Sequence, residues 1–225
     1  MSGDEPAVLF RRGLAASPGV PRTLIVLGVA RGGTTMLAQM LHDLSVFMGD
    51  GLNSTYQDAL LGDISRALFA GQIDLDHPAI EQVMRRRDAE YAIWGWKFPT
   101  QIFEGLYAKA RNPHVILVFR DPVAIAGREA LIHGHGIEPC FERAVAQSTN
   151  LARFALATPY PCLAVSYERG LQHKRELVDA LVDFAGIGVS AETRQRAAEK
   201  AQPASPAYLE DTRPSEIEGM LDRAD

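Results

Sequence analysis

The stretch GVARGGTTML, Gly28 to Leu37, decides how this chain reads. An apolar run, Thr23 to Val29, leads into it. Beyond it Met36, Leu37, Met40, Leu41 and Leu44 recur at the spacing of a helix with one buried stripe. Strand, glycine loop and helix therefore follow one another directly. A loop of this kind turns backbone amides and a helix N-terminus toward a ligand, and both attract anions.

In the Walker A form of such a loop, the amides cradle phosphate, a lysine reaches the β and γ phosphates, and Ser or Thr holds magnesium. Here Gly28 and Gly33 keep the GxxxxG frame, and Thr34 and Thr35 supply hydroxyls. Thr34 stands at the lysine position, however, and Arg31 sits inside the loop. A triphosphate enzyme would lose its main γ-phosphate cation. A donor with a single 5′-phosphate would not, because Arg31 is placed to neutralise it. A glycine turn that binds nothing accounts for Gly32 and Gly33, but not for an arginine and two threonines in the same tight loop.

Outward from the loop, strand and helix patterns alternate. Residues 1–21 carry Gly and Pro without sustained periodicity and read as a loosely ordered lead-in. Apolar positions from Tyr56 to Glu90 suggest two helices separated around Gly71 to Pro78. AIWGWKFP then reads as a short strand closed by Pro99, with Thr100 able to cap the helix QIFEGLYAKA. HVILVF, His114 to Phe119, is nearly all apolar, as suits a central parallel strand covered on both faces. Helical stretches cover Pro122 to Ile132 and Glu138 to Ala157, and CLAVSY, Cys162 to Tyr167, is the next strand. KRELVDALVDFAGI is amphipathic and stops at Gly186, a suitable C-cap. This alternation predicts a wound α/β fold with a parallel sheet. Beyond Pro203 the chain turns acidic, with a weak helical pattern at SEIEGMLDR.

Composition limits the function. The 225 residues fit one compact domain, 47% of them apolar and 23% charged. A net charge of −5 and a pI near 5.7 argue against general affinity for nucleic acid or anionic membrane. Cys140 and Cys162 have neither CxxC nor clustered His spacing, so they read as two reduced, packed thiols. No uninterrupted apolar run reaches the ~18 residues of a membrane span, and the N-terminus lacks the apolar core of a secretion signal. The expectation is a soluble cytoplasmic protein without stable membrane insertion; its oligomeric state is left open.

HVILVF runs into Arg120-Asp121-Pro122, and ligands of parallel α/β sheets sit at the carboxyl ends of the strands. Arg120 should therefore emerge on the same edge as the glycine loop. Arg128 follows about two helical turns later, and two guanidinium forks suit a second phosphate. The same stretch also resembles a Walker B site, with Asp121 holding magnesium for a kinase or NTPase. The absent loop lysine ranks that reading second, beside a non-catalytic nucleotide-binding domain.

Three stretches taken together resemble the P-loop sulfotransferases. GVARGGTTML is similar to their 5′-phosphosulfate loop, VILVFRDPVAIAGR to their 3′-phosphate segment, and VSYERGLQHKRELVDALVDFAGI to their later strand, Tyr-Glu turn and helix. The resemblance spans about Thr23 to Gly188. It implies a three-layer fold with a central parallel sheet flanked by helices; the expected domain covers residues 22–202, between the lead-in and the acidic tail at 203–225. It also implies 3′-phosphoadenosine 5′-phosphosulfate (PAPS) as co-substrate without a metal, and transfer to a hydroxyl or amine of a glycan, lipid or small-molecule acceptor. Carried over by position, Arg31, Gly32, Gly33, Thr34 and Thr35 hold the 5′-phosphosulfate, and Arg120 the 3′-phosphate. Arg128 stands where the family usually has Ser.

The acceptor must lose a proton to a nearby base. Many cytosolic members of the family place a His at the strand end where this chain has Phe98, in WGWKFP. Other branches use a carboxylate after the first helix, which makes Asp50 and Asp58 candidates. His133 and His135 in LIHGHG are a third option. Lys97 resembles a family lysine near the transferring group. Trp94 and Trp96 share one strand face and read as core, and Arg85-Arg86-Arg87 as a solvated helix face. The segment from Gly49 to Arg87 is expected to shape the acceptor pocket.

Overall fold

The computed structural model describes residues 5–10, 18–98 and 102–202. Its centre is β2 (Arg22–Gly28), a strand buried along its whole length between β3 (Ile93–Lys97) and β4 (Pro113–Phe119). Next to β4 lies β5 (Cys162–Ser166), and all three of these pairings are parallel. The sheet order is β1-β5-β4-β2-β3, with β1 (Ala7–Phe10) antiparallel on the edge of β5. That strand lies in the lead-in read as loosely ordered. It owes its conformation to the register Ala7↔Val165 through Phe10↔Cys162, a long-range pairing that four residues of local sequence do not signal.

Side chains alternate across β2 and so feed two cores. Leu24 and Val26 join α1 (Thr34–Asp43), α8 (Lys174–Ala185) and α9 (Ala191–Lys200) on one face. Ile25 and Leu27 join the other, formed with α2 (Ala59–Phe69), α3 (Pro78–Glu90), α4 (Glu104–Ala108) and α6 (Ile137–Ala157). The result is the expected three-layer α/β architecture. Trp94 and Trp96 are buried in the second core, stacked 5.4 Å apart.

The remaining helices are α5 (Pro122–His133) and the short α7 (Tyr167–Gln172). The α8 helix ends at Gly186 in a left-handed cap with φ 65°. Its neighbour α9 has no counterpart in the sequence reading, because only Ala197 and Ala198 of its ten residues are buried and no apolar stripe marks it. Ser190 starts it by accepting from Thr193 N, and it packs on α8 and α1. Pro99, Thr100 and the stretch SEIEGMLDR lie outside the described residues. Among the described residues no helix is long and apolar enough to cross a membrane.

Because β2 to β5 run parallel, their carboxyl ends share one edge. Gly28 pairs with Val118 and Phe119 with Ser166. Everything that follows Gly28, Lys97, Phe119 and Ser166 is thereby delivered to one place.

Candidate active site at the carboxyl edge of the sheet

The glycine loop is a tight turn closed by Gly32 N donating to Val29 O at 2.8 Å. Gly28 has no room for a side chain, since a Cβ there would come within 2.6 Å of Val118 Cγ1. Gly33 has φ 103°, and a Cβ would fall 2.2 Å from Tyr167 Cδ2. Between them Arg31 holds φ 63°, a left-handed conformation that costs a non-glycine residue about 1–3 kcal/mol. The helix α1 then begins with no side-chain cap and no acid in its first turn, so no carboxylate of its own offsets the positive end of its dipole.

Arg120 leaves β4 and donates from Nη1 to Arg31 O at 2.7 Å, bracing the loop from below. Its guanidinium lies 4.6 Å from the Tyr167 ring centroid, while Glu168 Oε1 stands 3.9 Å from its Nε. Tyr167 therefore touches both the loop glycine and the arginine, a double role that the sequence reading passed over as part of a turn. Arg128 is half-buried on α5. Asp121 is the N-cap of α5, accepting from Val123 N at 2.9 Å, and its own amide donates to Glu168 Oε1.

Lys97 comes to the same edge from β3. Its Nζ donates to Thr35 Oγ1 at 3.1 Å and to Thr55 O at 2.6 Å, and the residue is only 3% exposed. Burial, reinforced by the nearby Arg31 charge, lowers its pKa to about 7. Thr35 is thus tied to a lysine that arrives from another strand, in a protein whose loop position 34 has none.

The two candidate carboxylates are directed elsewhere. Asp58 is 1% exposed, caps α2 by accepting from Leu60 N and Leu61 N, and pairs with Arg87 Nη1 at 2.5 Å. Asp50 pairs with Arg86 and with Arg87 Nη2, the latter at 3.1 Å. Partial desolvation would raise the Asp50 pKa, but the hydrogen bonds and charges of Arg87 and Arg86 outweigh it and hold the carboxylate below its usual range. Arg87 corrects the reading of Arg85-Arg86-Arg87 as a solvated face. It is fully buried, within 5.5 Å of the Phe47 ring centroid and 5.3 Å of the Trp94 ring. Two carboxylates and two aromatic faces stand in for the water it has lost.

Sequence reasoning overlooked Glu129. Ile125 and Ala126 are buried on α5, and Glu129 and then His133 continue that stripe at helical spacing. Glu129 Oε1 lies 3.2 Å from Arg31 Nε, with both side chains nearly buried, and its Oε2 lies 3.4 Å from His133 Nε2. His133 in turn stacks on His135, ring centroids 5.7 Å apart. Local pattern gave no sign of the Glu129 pairing, because its counter-ion Arg31 lies 98 residues earlier in the chain.

Neighbouring cavities share lining residues here. An open groove of about 620 Å³ runs past Leu68, Leu75, Ile102 and Phe103, partly within the segment expected to shape the acceptor pocket. Ile102 also lines a small cavity against Gly28 and Val29, which shares Val29 and Gln147 with a third, of about 140 Å³, beside Ala30 and Glu129. Among the described residues no three His, Cys, Asp or Glu side chains gather as a metal-ligating group.

No protein-family model matches this chain, and no curated protein matches it in sequence. Solved structures do. The sulfotransferase domain from the curacin biosynthetic pathway superposes with a TM-score of 0.55 at 16% identity, over 86% of this chain and 83% of that one. The sulfotransferase domain from the Synechococcus PCC 7002 olefin synthase gives 0.52 at 17% identity, over 89% and 83%. At such identities the likeness establishes the fold, which is that of the P-loop sulfotransferases.

Proposed function

Starting from a sulfotransferase fold whose glycine loop has Thr34 at the lysine position and Arg31 within the loop, we propose that this protein transfers a sulfuryl group from PAPS to a hydroxyl or amine of a glycan, lipid or small-molecule acceptor. One observation carries the reading. Arg31 and Arg120 converge beside the uncapped start of α1, joined by the 2.7 Å hydrogen bond from Arg120 to the Arg31 carbonyl. Two cations and a helix N-terminus at one sheet edge suit a ligand with two separate anionic groups.

In this assignment Arg31, Gly32, Gly33, Thr34 and Thr35 bind the 5′-phosphosulfate, and Arg120 with Arg128 the 3′-phosphate. Lys97, held at Thr35, faces the sulfuryl group. A sulfuryl group carries less charge than a γ-phosphoryl group, so its in-line transfer can rely on protein cations where phosphoryl enzymes use a metal. Arg31 and the loop amides stabilise the charge that gathers on the departing 5′-phosphate.

Calorimetry with adenosine 3′,5′-bisphosphate, without magnesium, tests this. The parent protein should bind it, and Arg31→Ala and Arg120→Ala should each weaken binding by about tenfold or more, the range expected for a hydrogen bond to a charged group. An absence of binding, with ATP and magnesium bound instead, would overturn the reading in favour of a kinase or NTPase built around Asp121.

A further inference from the structure

The sulfotransferase reading leaves a chemical gap, since something must accept the proton of the attacking hydroxyl. Phe98, where many cytosolic relatives place a His, is apolar and 8% exposed. Asp50 and Asp58 are both turned to Arg87 on α3, whereas Glu129 is paired to Arg31 of the glycine loop itself. Resting on the sulfotransferase reading, we infer that Glu129 is the general base and that His133 carries the proton from it toward solvent.

The argument is geometric. A carboxylate beside an anion-binding loop repels the ligand that the loop is built to hold, and Glu129 is nonetheless only 14% exposed and directed at Arg31. Its Oε1 is fixed by Arg31, and its Oε2 is turned toward His133 at 3.4 Å. The arginine that binds the donor thus orients the carboxylate as well, so the base is aligned in the same act that holds the sulfuryl group. The cavity beside Glu129 is floored by Val29 and Ala30 and walled by Cys140, Arg143, Ala144 and Gln147 of α6. Its volume of about 140 Å³ is well below the ~300–1,000 Å³ of whole-ligand pockets, so it suits the hydroxyl-bearing end of an acceptor.

In the transfer the acceptor O–H proton passes to the Glu129 carboxylate while the acceptor oxygen forms the new O–S bond. The S–O bond to the 5′-phosphate breaks, and its electron pair leaves on the phosphate, where Arg31 and the loop receive it. Glu129 then returns the proton through His133, which is stacked on the exposed His135.

Glu129→Gln separates this role from a purely structural one. Its amide oxygen still accepts from Arg31, but it cannot take a proton. Release of adenosine 3′,5′-bisphosphate from PAPS would be followed with water alone, an aliphatic alcohol and 4-nitrophenol as acceptors. The expected result is a fall of about 100-fold or more with the alcohol, with bisphosphate affinity kept within about threefold. The loss should be smaller with 4-nitrophenol, which ionises without help. His133→Ala should lose less, and added imidazole should restore it, which a packing role for His133 would not allow. Unchanged turnover in Glu129→Gln, or a parallel collapse of turnover and bisphosphate affinity, would overturn the inference. Failure of the parent protein to bind the bisphosphate would instead overturn the sulfotransferase reading beneath it.

Discussion

At the scale of single residues, Lys97 offers the sharpest test because its charge is conditional. With its pKa lowered to about 7 by burial and by Arg31, it is partly neutral near physiological pH, and a bound anion would recharge it. Affinity for PAPS should therefore fall as pH rises above about 7, by at most about tenfold per pH unit. Calorimetry in buffers of different ionisation enthalpy would record the proton taken up, and Lys97→Met should abolish both effects. Stability carries the opposite sign. Between about 7 and the ~10.4 of a free lysine the unfolded chain binds more protons, so folding gains stability as pH rises through that window. Urea midpoints of the parent protein should climb relative to Lys97→Met across it, and parallel curves would contradict the burial seen here.

At the scale of elements, Arg87 of α3 clasps the segment between α1 and α2 at its middle, through Asp50, and at its far end, through Asp58. That segment supplies the Thr55 carbonyl to Lys97, so the clasp reaches the site through one hydrogen bond. Arg87→Met removes the cation and strands a buried Asp58, a change expected to cost about 3–5 kcal/mol. Asp50→Asn should cost far less, because the Asp50 side chain is 46% exposed and its screened pair adds ~0–1 kcal/mol. Urea unfolding of the two variants decides this. Equal midpoints would mean that the triad holds nothing. Under the Glu129 assignment, Asp50→Asn should also leave turnover within about threefold of the parent, since general-base loss costs ~100-fold or more; a collapse there would return the base to Asp50.

At the scale of the whole molecule, the sheet needs β1 at its edge. Without it β5 would present an unpaired row of N–H and C=O groups, a template for association. Deleting residues 1–10 should lower the melting temperature by several degrees, ~2–4 °C for each kcal/mol lost, and promote aggregation. Bisphosphate affinity should stay within about threefold, because the proposed site lies at the carboxyl ends of the other strands. Light scattering with a thermal melt would check it, and a truncated chain that melts unchanged and stays monodisperse would show β1 to be ornamental.

Legibility followed physical range. The loop from Gly28 to Thr35, the buried strands β2 and β4, and the amphipathic α8 with its Gly186 cap were readable from the sequence, because strand burial, helix periodicity and positive-φ glycines are dictated by neighbours a few residues away. By itself, then, the sequence determined a glycine loop between strand and helix in a wound α/β sheet, with Thr34 at the lysine position and Arg31 within the loop. Local pattern did not carry β1, α9, the burial of Arg87 or the place of Glu129. Those depend on partners far along the chain: Val165 for Ala7, Asp58 for Arg87, Arg31 for Glu129. Only the packed structure decided which charges meet, since a buried ion finds its counter-ion through the fold rather than through its neighbours in sequence.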